Sequence, residues 1–437
     1  MSRISRAEFA RRRRRLMALM EPNSIAILPS ARECMRSRDT EYPFRQDSDF
    51  HYLCGFPEPE SVLVLIPGRE HGEFVLFCRE RDEAHALWHG HREGPEGACE
   101  HYGADDAFPV SDIDDILPGL IEGRERVYYS MGRSEGFDRR LMGWVNRIRG
   151  QAAVGAVPPG DFTDLDHLVH ELRLKKSAAE LKLMARAGEI TAAAHCRAMR
   201  AAAPGVTEYQ LEAELHYHFA LAGARHPAYP SIVGSGPNAC TLHYVDNRRT
   251  LRDGDLVLID AGCEYQNYAA DVTRTFPVSG RFSPSQRAIY EVVLEAQRAA
   301  LAAIRPGNHW DDPHQATVEV ITRGLVELGI LKGEPSRLIA DGAYRDYYMH
   351  RAGHWLGLDV HDVGDYRVAG EWRLLEDGMV MTVEPGIYIP PDAPVAARWR
   401  GVGIRIEDDV VVTASGYRLL TEGVPREPDE IEALMAA

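Results

Sequence analysis

The sequence has few cysteines, and none of them is paired at a spacing typical of a metal site or a redox motif. The seven cysteines are widely scattered, and no CxxC motif occurs among them. Isolated cysteines suit reduced thiols, whereas disulfide-rich chains belong to oxidising compartments. We therefore expect a cytoplasmic protein without a thiolate-rich zinc site.

The chain also lacks a long apolar run and an excess of positive charge. No apolar stretch approaches the roughly 20 residues that a membrane-spanning helix requires. The formal net charge is -16, whereas binding to nucleic-acid phosphates needs a basic surface. We therefore predict neither a membrane nor a nucleic-acid partner. The one basic run, Arg11 to Arg15, is predicted to be the solvated face of an opening helix.

Length and pattern indicate two domains. The 437 residues exceed the roughly 250 to 300 at which a single hydrophobic core stops growing. In the first half, strand-like runs beginning at Ser24, Ser61 and Glu73 alternate with polar turns and precede a helical pattern near residues 137–149. This alternation predicts an α/β fold.

The domain boundary follows a break in this pattern. Pro158, Pro159 and Gly160 interrupt the chain before a long helix-forming stretch. We therefore place an amino-terminal α/β domain in residues 1–172 and a second domain, mixed α/β in the α+β sense, in residues 173–437.

An internal repeat is the most informative feature of the second domain. LRDGDLVLIDAG from Leu251 matches LEDGMVMTVEPG from Leu375, and a helical stretch ending in Pro-Gly precedes each copy. In both copies an Asp-Gly turn leads into a buried strand that ends in a carboxylate, and a second strand brings another. The carboxylates are Asp260 and Asp271 in the first copy and Glu384 and Glu407 in the second. Packed about a pseudo-twofold axis, the copies can place all four around one centre.

Carboxylates at such strand positions need positive charge nearby. Burying an ionised carboxylate without a partner costs several kcal/mol, and two divalent cations would compensate all four. An oxygen-rich ligand set with one imidazole suits Mn²⁺ better than a thiolate zinc site. Glu407 is predicted to lie in one alternating strand, on the same face as Gly403 and Arg405. Asp408 and Asp409, which follow it, are predicted to be solvated or to support the ligands.

The imidazole is expected from YYMHRAGHWLGLDVHDVGDY, which holds His350, His354 and His361. Its glycines argue against a regular helix, so the step from His350 to His354 is not interpreted as a helical zinc-binding pair. We predict a loop or irregular strand. Three histidines within twelve positions favour a functional role over isolated structural ones.

The motifs LVLIDAGCEY, YAADVTRTF, HRAGHWLGLDVHD, TVEPGIYI and GIRIEDDV resemble those of the metal-dependent pita-bread peptidases, and of the aminopeptidase P family among them. RDTEYPFRQDSDFHYLCGFPEPESVLVL extends the resemblance through the amino-terminal domain, so that it covers nearly the whole chain. It implies a creatinase-like α/β domain for substrate access and oligomerisation, as a dimer or tetramer. A pita-bread catalytic domain with an internal pseudo-twofold repeat would follow.

The resemblance also implies a role for each site residue. Asp271 and Glu407 would bridge two metals, Asp260 would bind one, and His354 with Glu384 would complete the other. A hydroxide between the ions would attack the substrate, with Glu384 as proton shuttle. It further implies that His243 and His361 contact substrate and stabilise the tetrahedral intermediate. Tyr388 and Arg405 are expected to support the ligands beside the substrate, because a ligating carboxylate needs a hydrogen-bonded partner. His350, Arg351 and Trp88 are expected to line the substrate pocket, with ordinary aromatic packing as the alternative for Trp88.

The implied activity is removal of the first residue from peptides whose second residue is proline. The nearest alternative is prolidase activity, cleavage of Xaa-Pro dipeptides, because the metal motifs do not separate the two. An alternative of another class is a catalytically silent pita-bread domain that binds peptides.

Overall fold

The amino-terminal strands form where the apolar runs of the sequence predict them. The computed structural model describes residues 3–437; residues 1 and 2, which the predicted first domain includes, lie outside the described residues. The chain divides into two compact units, Ile4–Arg173 and Leu174–Ala437. The strands of the first unit are β1 (Ser24–Pro29), β2 (Val62–Leu65), β3 (Phe74–Cys78), β4 (Asp106–Pro109), β5 (Arg126–Tyr128) and β6 (Asp161–Thr163).

These six strands form one mixed sheet in the order β4-β3-β2-β1-β5-β6. Strand β2 runs antiparallel to β1 and β3, and the other neighbours are parallel. The helices of this unit are α1 (Arg6–Met17), α2 (Ser48–Cys54), α3 (Glu83–His89), α4 (Gly94–Tyr102), α5 (Ile113–Ile121), α6 (Glu135–Gly150) and α7 (Asp166–Leu174). Apolar side chains of α5 and α6 pack with those of the central strands in one core. The predicted α/β fold of this half is confirmed.

The prediction of a solvated basic face on the first helix is wrong for two arginines. Arg12 and Arg13 are 1% and 5% exposed. Arg12 donates to the carbonyl of Tyr52 at 3.1 Å, and its guanidinium lies 4.2 Å from the centroid of that ring. Arg13 donates to the carbonyl of Leu53 at 3.0 Å. Because guanidinium groups stack on aromatic rings while they donate hydrogen bonds, a basic run can lie inside a core.

Replacing Arg12 with alanine should destabilise the first unit. The change removes a buried donor from the Tyr52 carbonyl and leaves a cavity beside its ring, so we expect a loss of about 2 to 4 kcal/mol in the free energy of unfolding. Calorimetric unfolding of Arg12→Ala measures it, with Arg15→Ala on the exposed side of the same helix as control. Equal unfolding temperatures for the two variants would contradict the buried role of Arg12.

The second unit contains paired helices and small antiparallel sheets. Its helices are α8 (Ala178–Ala201), α9 (Glu208–Leu221), α10 (Pro284–Ala302), α11 (Asp312–Glu327), α12 (Pro335–Ala340) and α13 (Pro428–Ala436). Its strands are β7 (His226–Pro227), β8 (Ile232–Ser235), β9 (Leu256–Asp260), β10 (Cys263–Tyr265), β11 (Tyr268–Ala269), β12 (Thr273–Pro277), β13 (Arg367–Val368), β14 (Glu371–Trp372), β15 (Val380–Val383), β16 (Gly386–Ile389), β17 (Val402–Arg405), β18 (Asp408–Thr413) and β19 (Gly416–Leu419). Within the described part of the chain, no helix is long and apolar enough to cross a membrane.

The two copies of the repeat share a pattern of backbone hydrogen bonds. In the first copy, Gly205 N–H donates to the Leu251 carbonyl at 3.0 Å, and Leu251 N–H donates to the Val206 carbonyl at 2.8 Å. The second copy has the equivalent bonds at the same lengths: Gly307 N–H to the Leu375 carbonyl, and Leu375 N–H to the Asn308 carbonyl. Each copy thus ties the start of its second helix to the chain that enters its carboxylate strand.

The Asp-Gly turns of the two copies also match. Gly254 and Gly378 have φ values of 81° and 88°, in the left-handed region that glycine adopts without steric cost. Strands β9 and β15 begin two residues later. The sequence repeat is therefore a repeat of structure.

The predicted single strand around Glu407 is interrupted. Strand β17 ends at Arg405 and pairs with β16, whereas β18 begins at Asp408 and pairs with β15. Between them, Glu407 N–H donates to the Thr273 carbonyl at 3.0 Å. The chain changes partners at this point because Glu407 lies against the first copy of the repeat, and an alternating apolar pattern does not reveal such a change.

Candidate metal centre

The four carboxylates of the repeat lie at the ends of strands or between them. Asp260 ends β9 and is paired with Thr273 of β12, and Asp271 lies two residues before β12 begins. Glu384 directly follows β15, and Glu407 directly precedes β18. Both copies therefore present carboxylates where their strands end.

Three of the predicted ligands lie close enough together to hold a metal ion. Asp271, His354 and Glu407 each have one ligand atom within 4.8 Å of the other two. His354 Nε2 lies 3.3 Å from Asp271 Oδ2 and 3.7 Å from Glu384 Oε1. The arrangement brings one imidazole to carboxylates from both copies of the repeat.

The orientation of His354 is fixed by its surroundings. Its Nδ1 lies 2.9 Å from the carbonyl of Trp355, which accepts a hydrogen bond from that nitrogen and leaves Nε2 facing the carboxylates. Its backbone N–H donates to Thr382 Oγ1 at 3.1 Å. No regular helix spans residues 347–366, so the prediction of an irregular backbone here is confirmed.

A tyrosine that the sequence analysis missed connects two of the carboxylates. The Tyr229 hydroxyl lies 2.7 Å from Asp260 Oδ1 and is also hydrogen-bonded to Asp271 Oδ1. Tyr229 precedes Asp260 by 31 residues in a segment without a distinctive motif. One hydroxyl donates a single proton, so this contact indicates two carboxylates held close enough to share a neighbour.

Removal of the Tyr229 hydroxyl should weaken metal binding without removing a ligand. We expect Tyr229→Phe to lower metal affinity about 10- to 100-fold, the usual effect of losing a group that orients a ligating carboxylate. Titration calorimetry of the metal-free protein measures the affinity, and Tyr265→Phe, another buried tyrosine of this unit, is the matched control. An unchanged affinity would remove Tyr229 from the site.

Arg405 is the cation of the site that the protein itself supplies. It donates to Asp260 Oδ2 at 2.6 Å, to the Tyr388 hydroxyl at 2.8 Å and to Thr273 Oγ1 at 3.1 Å. The Tyr388 hydroxyl lies 2.9 Å from His350 Nε2. His350 Nδ1 faces the Arg351 carbonyl at 2.7 Å, so His350 is a neutral imidazole that accepts from Tyr388. Burial and the charge of Arg405 lower the pKa of His350 to about 3.

The remaining carboxylates are short of positive charge. Burial and the charge of Asp260 raise the pKa of Asp271, and burial with the charge of Asp271 raises the pKa of Glu407 well above its usual range. Burial raises the pKa of Glu384 to about 7. For His354 burial opposes the charged imidazole, but the hydrogen bond to Asp271 and the charge of Glu384 raise its pKa to about 9. Each shift reports a negative site that lacks compensating cations.

This donor set fits divalent metal ions. Four carboxylates converge with one imidazole, and the only arginine that donates to any of these carboxylate side chains, within residues 3–437, is Arg405. Buried carboxylates with raised pKa values, whose oxygens can donate electron pairs, form the environment that a bound divalent cation stabilises. Oxygen ligands with a single nitrogen suit hard to borderline ions.

A second cluster with ligand spacing, in the first unit, does not fit a metal. Asp49, Asp166 and His170 lie close enough to share an ion. Arg173 donates to Asp49 at 2.7 Å, however, and Arg133 lies 3.1 Å from Asp49 and 2.8 Å from Asp166. Although burial opposes its charge, contacts with His170 and Arg173 hold the pKa of Asp49 below its usual range. Here the protein supplies its own cations.

The predicted catalytic histidines line a cavity of about 240 Å³ that opens onto the carboxylates. His243 and His361 are exposed, and the ring of His361 lies 4.3 Å from that of His354, edge to face. His350 and Arg351 line the same cavity with the five predicted ligands. Tyr388 does not line it and supports it from behind. The roles of these residues stay predictions.

Two predicted pocket residues differ in setting. Arg351 is paired with Asp311, and its guanidinium lies 4.7 Å from the Trp372 ring centroid. Trp88 lies in α3 of the first unit and is 80% exposed. Its assignment to the substrate pocket stays a prediction.

The two aspartates that follow Glu407 differ from one of the two alternatives predicted for them. Asp408 and Asp409 are buried, at 0% and 1% exposed, so the solvated alternative for them is wrong. Asp409 accepts the backbone N–H of Asp271 at 3.0 Å. The Thr273 hydroxyl donates to Glu407 at 2.6 Å. Thr273 could have been found from the sequence because it follows Asp271 by only two residues, at the start of β12.

The fold and the site define a metal-dependent hydrolase with the pita-bread architecture. Residues 182–414 match the profile described as Metallopeptidase family M24, and residues 9–128 match that described as Aminopeptidase P, N-terminal domain. The chain belongs to the Xaa-Pro aminopeptidases of this metallopeptidase family, so the resemblance inferred from its motifs is confirmed.

Similar proteins support this membership over the full length. The chain is 50% identical to the Xaa-Pro aminopeptidase of Escherichia coli (strain K12), covering 100% of this chain and 99% of that protein. The structure of Pseudomonas aeruginosa aminopeptidase PepP is 64% identical, with a TM-score of 0.99 over 100% of this chain and 99% of that one. Zinc-substituted E. coli aminopeptidase P in complex with product is 49% identical, with a TM-score of 0.97 over the same shares. Divalent metal binding by the chain follows from the family and the donor set.

Proposed function

We propose that the chain removes the amino-terminal residue from peptides that have proline in the second position. The observation that carries the proposal is the convergence of Asp260, Asp271, His354, Glu384 and Glu407 on one cavity, in a chain similar throughout to Xaa-Pro aminopeptidases. The exposed His243 and His361 belong to the lining of this cavity, so a short peptide can reach it from solvent.

The metal content we propose is two divalent ions, Mn²⁺ in the native protein. Asp271 and Glu407, which cluster with His354 within 4.8 Å, would be shared between the ions. Asp260 would hold one ion, and His354 with Glu384 would hold the other. When bound, the ions supply an acidified water and polarisation of the scissile carbonyl.

We propose that Glu384 moves the proton that peptide cleavage requires. Its carboxylate lies in the cavity lining, 3.7 Å from His354 Nε2 and 3.7 Å from His350 Nδ1. A carboxylate in the cavity lining can accept a proton from the attacking water and return it to the departing amine. Its backbone N–H donates to the Ala352 carbonyl at 2.9 Å, which fixes the side chain relative to the histidine segment.

We propose that His243 and His361 act on the substrate, and their exposure in the cavity lining supports this role. We propose that they donate to the substrate carbonyl as negative charge develops on its oxygen. Burial and the neighbouring His354 lower the pKa of His361. A neutral imidazole can still donate one hydrogen bond.

We further propose that the first unit, residues 1–172, serves substrate access and association into dimers or tetramers, and that residues 173–437 catalyse the reaction in the cytoplasm. Scattered free cysteines support the reducing compartment.

The specificity is tested by comparing two matched substrates. With Mn²⁺ present, a tripeptide Xaa-Pro-Yaa should be hydrolysed with a higher kcat/KM than the dipeptide Xaa-Pro, and Xaa-Ala-Yaa should be poor. Preference for the dipeptide would establish prolidase activity instead. Binding of all three peptides without hydrolysis would establish the silent binding module.

A further inference from the structure

His243 lies in the segment between β8 and Arg249, and no hydrogen bond within residues 3–437 orients its side chain. The segment leaves β8, passes through a short 3-10 helix at Gly236–Cys240 and returns to the start of α9 at Arg249. The imidazole of His243 forms no hydrogen bond with any of residues 3–437, and its side chain is exposed. Whatever orients His243 must therefore act through the backbone of its segment.

Both ends of this segment are held by one carboxylate outside the cavity. Glu208, the first residue of α9, is 0% exposed. Its Oε1 accepts the backbone N–H of Ser235 at 2.7 Å, the Ser235 hydroxyl at 2.7 Å and the side-chain amide of Asn238 at 3.0 Å. Its Oε2 accepts the Tyr244 hydroxyl at 2.8 Å and the backbone N–H of Arg249 at 2.8 Å.

These five hydrogen bonds satisfy a buried charge and define the shape of the segment. One carboxylate oxygen holds the beginning and the other holds the end, while the N–H of Glu208 donates to the Arg249 carbonyl at 3.0 Å. A carboxylate at a helix start is also favoured by the helix dipole. Hydrogen bonds to a charged acceptor are about twice as strong as neutral ones, so the segment is clamped rather than merely packed.

Tyr244 links this clamp to the cavity because it is the residue next to His243. We propose that Glu208, acting through Tyr244, is a positioning residue that holds His243 over the carboxylates. This inference rests on the proposed function, in which His243 contacts the substrate. A misplacement of about 1 Å in a positioned group can cost about 100-fold in rate, so a short tether one residue away is sufficient to matter.

The test uses Tyr244→Phe, which removes only the hydroxyl and leaves Glu208 with its other four donors. We expect kcat to fall about 10-fold for an Xaa-Pro-Yaa peptide, with a smaller change in KM, because His243 acts on the reacting carbonyl. Tyr209→Phe is the matched control, because it removes the hydroxyl of an exposed tyrosine next to Glu208 in α9. It should leave kcat unchanged.

A double-mutant cycle separates positioning from general stability. If Tyr244 acts through His243, the Tyr244→Phe change should have no further effect on kcat in a His243→Ala background. An equal loss in both backgrounds, or no loss in the parent, would overturn the proposal.

Crystal structures of the two tyrosine variants give a readout independent of activity. The His243 imidazole should lose its single orientation in Tyr244→Phe and keep it in Tyr209→Phe. An unmoved His243 in Tyr244→Phe overturns the positioning role even if the unmodified protein is active. If the unmodified protein is inactive, the proposed function is overturned. A displaced His243 in Tyr244→Phe would still support the role of Glu208 and Tyr244 in positioning it.

Discussion

Replacing Glu407 with glutamine should abolish peptide hydrolysis while leaving the metal-free protein at least as stable as its parent. Glutamine keeps an acceptor for the Thr273 hydroxyl, which lies 2.6 Å from Glu407, but removes the charge. Because burial and Asp271 together disfavour the charged carboxylate more than Arg405 favours it, its neutral isostere should not weaken the metal-free fold. We expect kcat/KM to fall by more than about 100-fold, beyond the effect of residues that only support ligands.

Thermal unfolding with and without Mn²⁺ completes this test. The parent should gain about 3 kcal/mol of stability when Mn²⁺ is present at about 100 times its dissociation constant, and Glu407→Gln should gain far less. Glu189→Gln, a solvent-exposed change in α8, is the control and should behave like the parent. A Glu407 variant that keeps both its activity and its stabilisation by metal would remove Glu407 from the site.

Replacing Arg274 with methionine should have the largest effect on stability. Arg274 and Asp408 form an ion pair 2.8 Å long in which both side chains are 0% exposed. Arg274 also donates to the carbonyl of Glu407 at 2.6 Å. Removing this cation takes from the buried Asp408 its fully buried charge partner and from the Glu407 carbonyl a donor, which costs about 3 to 5 kcal/mol and lowers the unfolding temperature by about 10 °C.

Two variants decide whether this loss comes from the buried charge. Arg426 lies 3.6 Å from the same carboxylate but is 30% exposed, so Arg426→Ala should cost less than about 1 kcal/mol. Adding Asp408→Asn to Arg274→Met should recover part of the lost stability because it neutralises the unpaired charge. A double variant that is less stable than Arg274→Met would show that packing, rather than charge, dominates at this position.

Much of the site could be predicted from the sequence because its chemistry repeats with the fold. The Asp-Gly turns and the strands after them fix where Asp260 and Glu384 lie, and the buried apolar runs indicate which carboxylates need cations. The structure adds that the two copies share the same backbone hydrogen bonds around Leu251 and Leu375. Periodicity and duplication together therefore predicted the architecture of the second unit.

Other features depend on contacts between distant parts of the chain. Tyr229 reaches two carboxylates 31 and 42 residues later, and nothing in its local sequence distinguishes it from a packing tyrosine. The change of strand partners at Glu407 is likewise set by Thr273 rather than by its own pattern. Long-range pairing of this kind leaves no local signal.

The sequence was least informative about the exposure of charged side chains that the fold buries beside a partner. Arg12 and Arg13 lie in a run that predicts solvent exposure. Inside the first unit, however, their guanidinium groups stack on aromatic rings and donate hydrogen bonds to backbone carbonyls. Asp408 is buried because Arg274 lies opposite it. Composition identifies charged residues, but their burial is decided by the partner that tertiary structure supplies.

The most direct test of the account is removal and restoration of the metal in the unmodified protein. Dialysis against a chelator should reduce hydrolysis of an Xaa-Pro-Yaa tripeptide to background, since no other group of the site activates water, while circular dichroism shows that the protein stays folded. Addition of Mn²⁺ should restore hydrolysis, and full activity should require two bound ions per chain. Hydrolysis that survives complete metal removal, or that fails to return to a folded protein supplied with Mn²⁺, would contradict the assignment of these carboxylates to a catalytic metal centre.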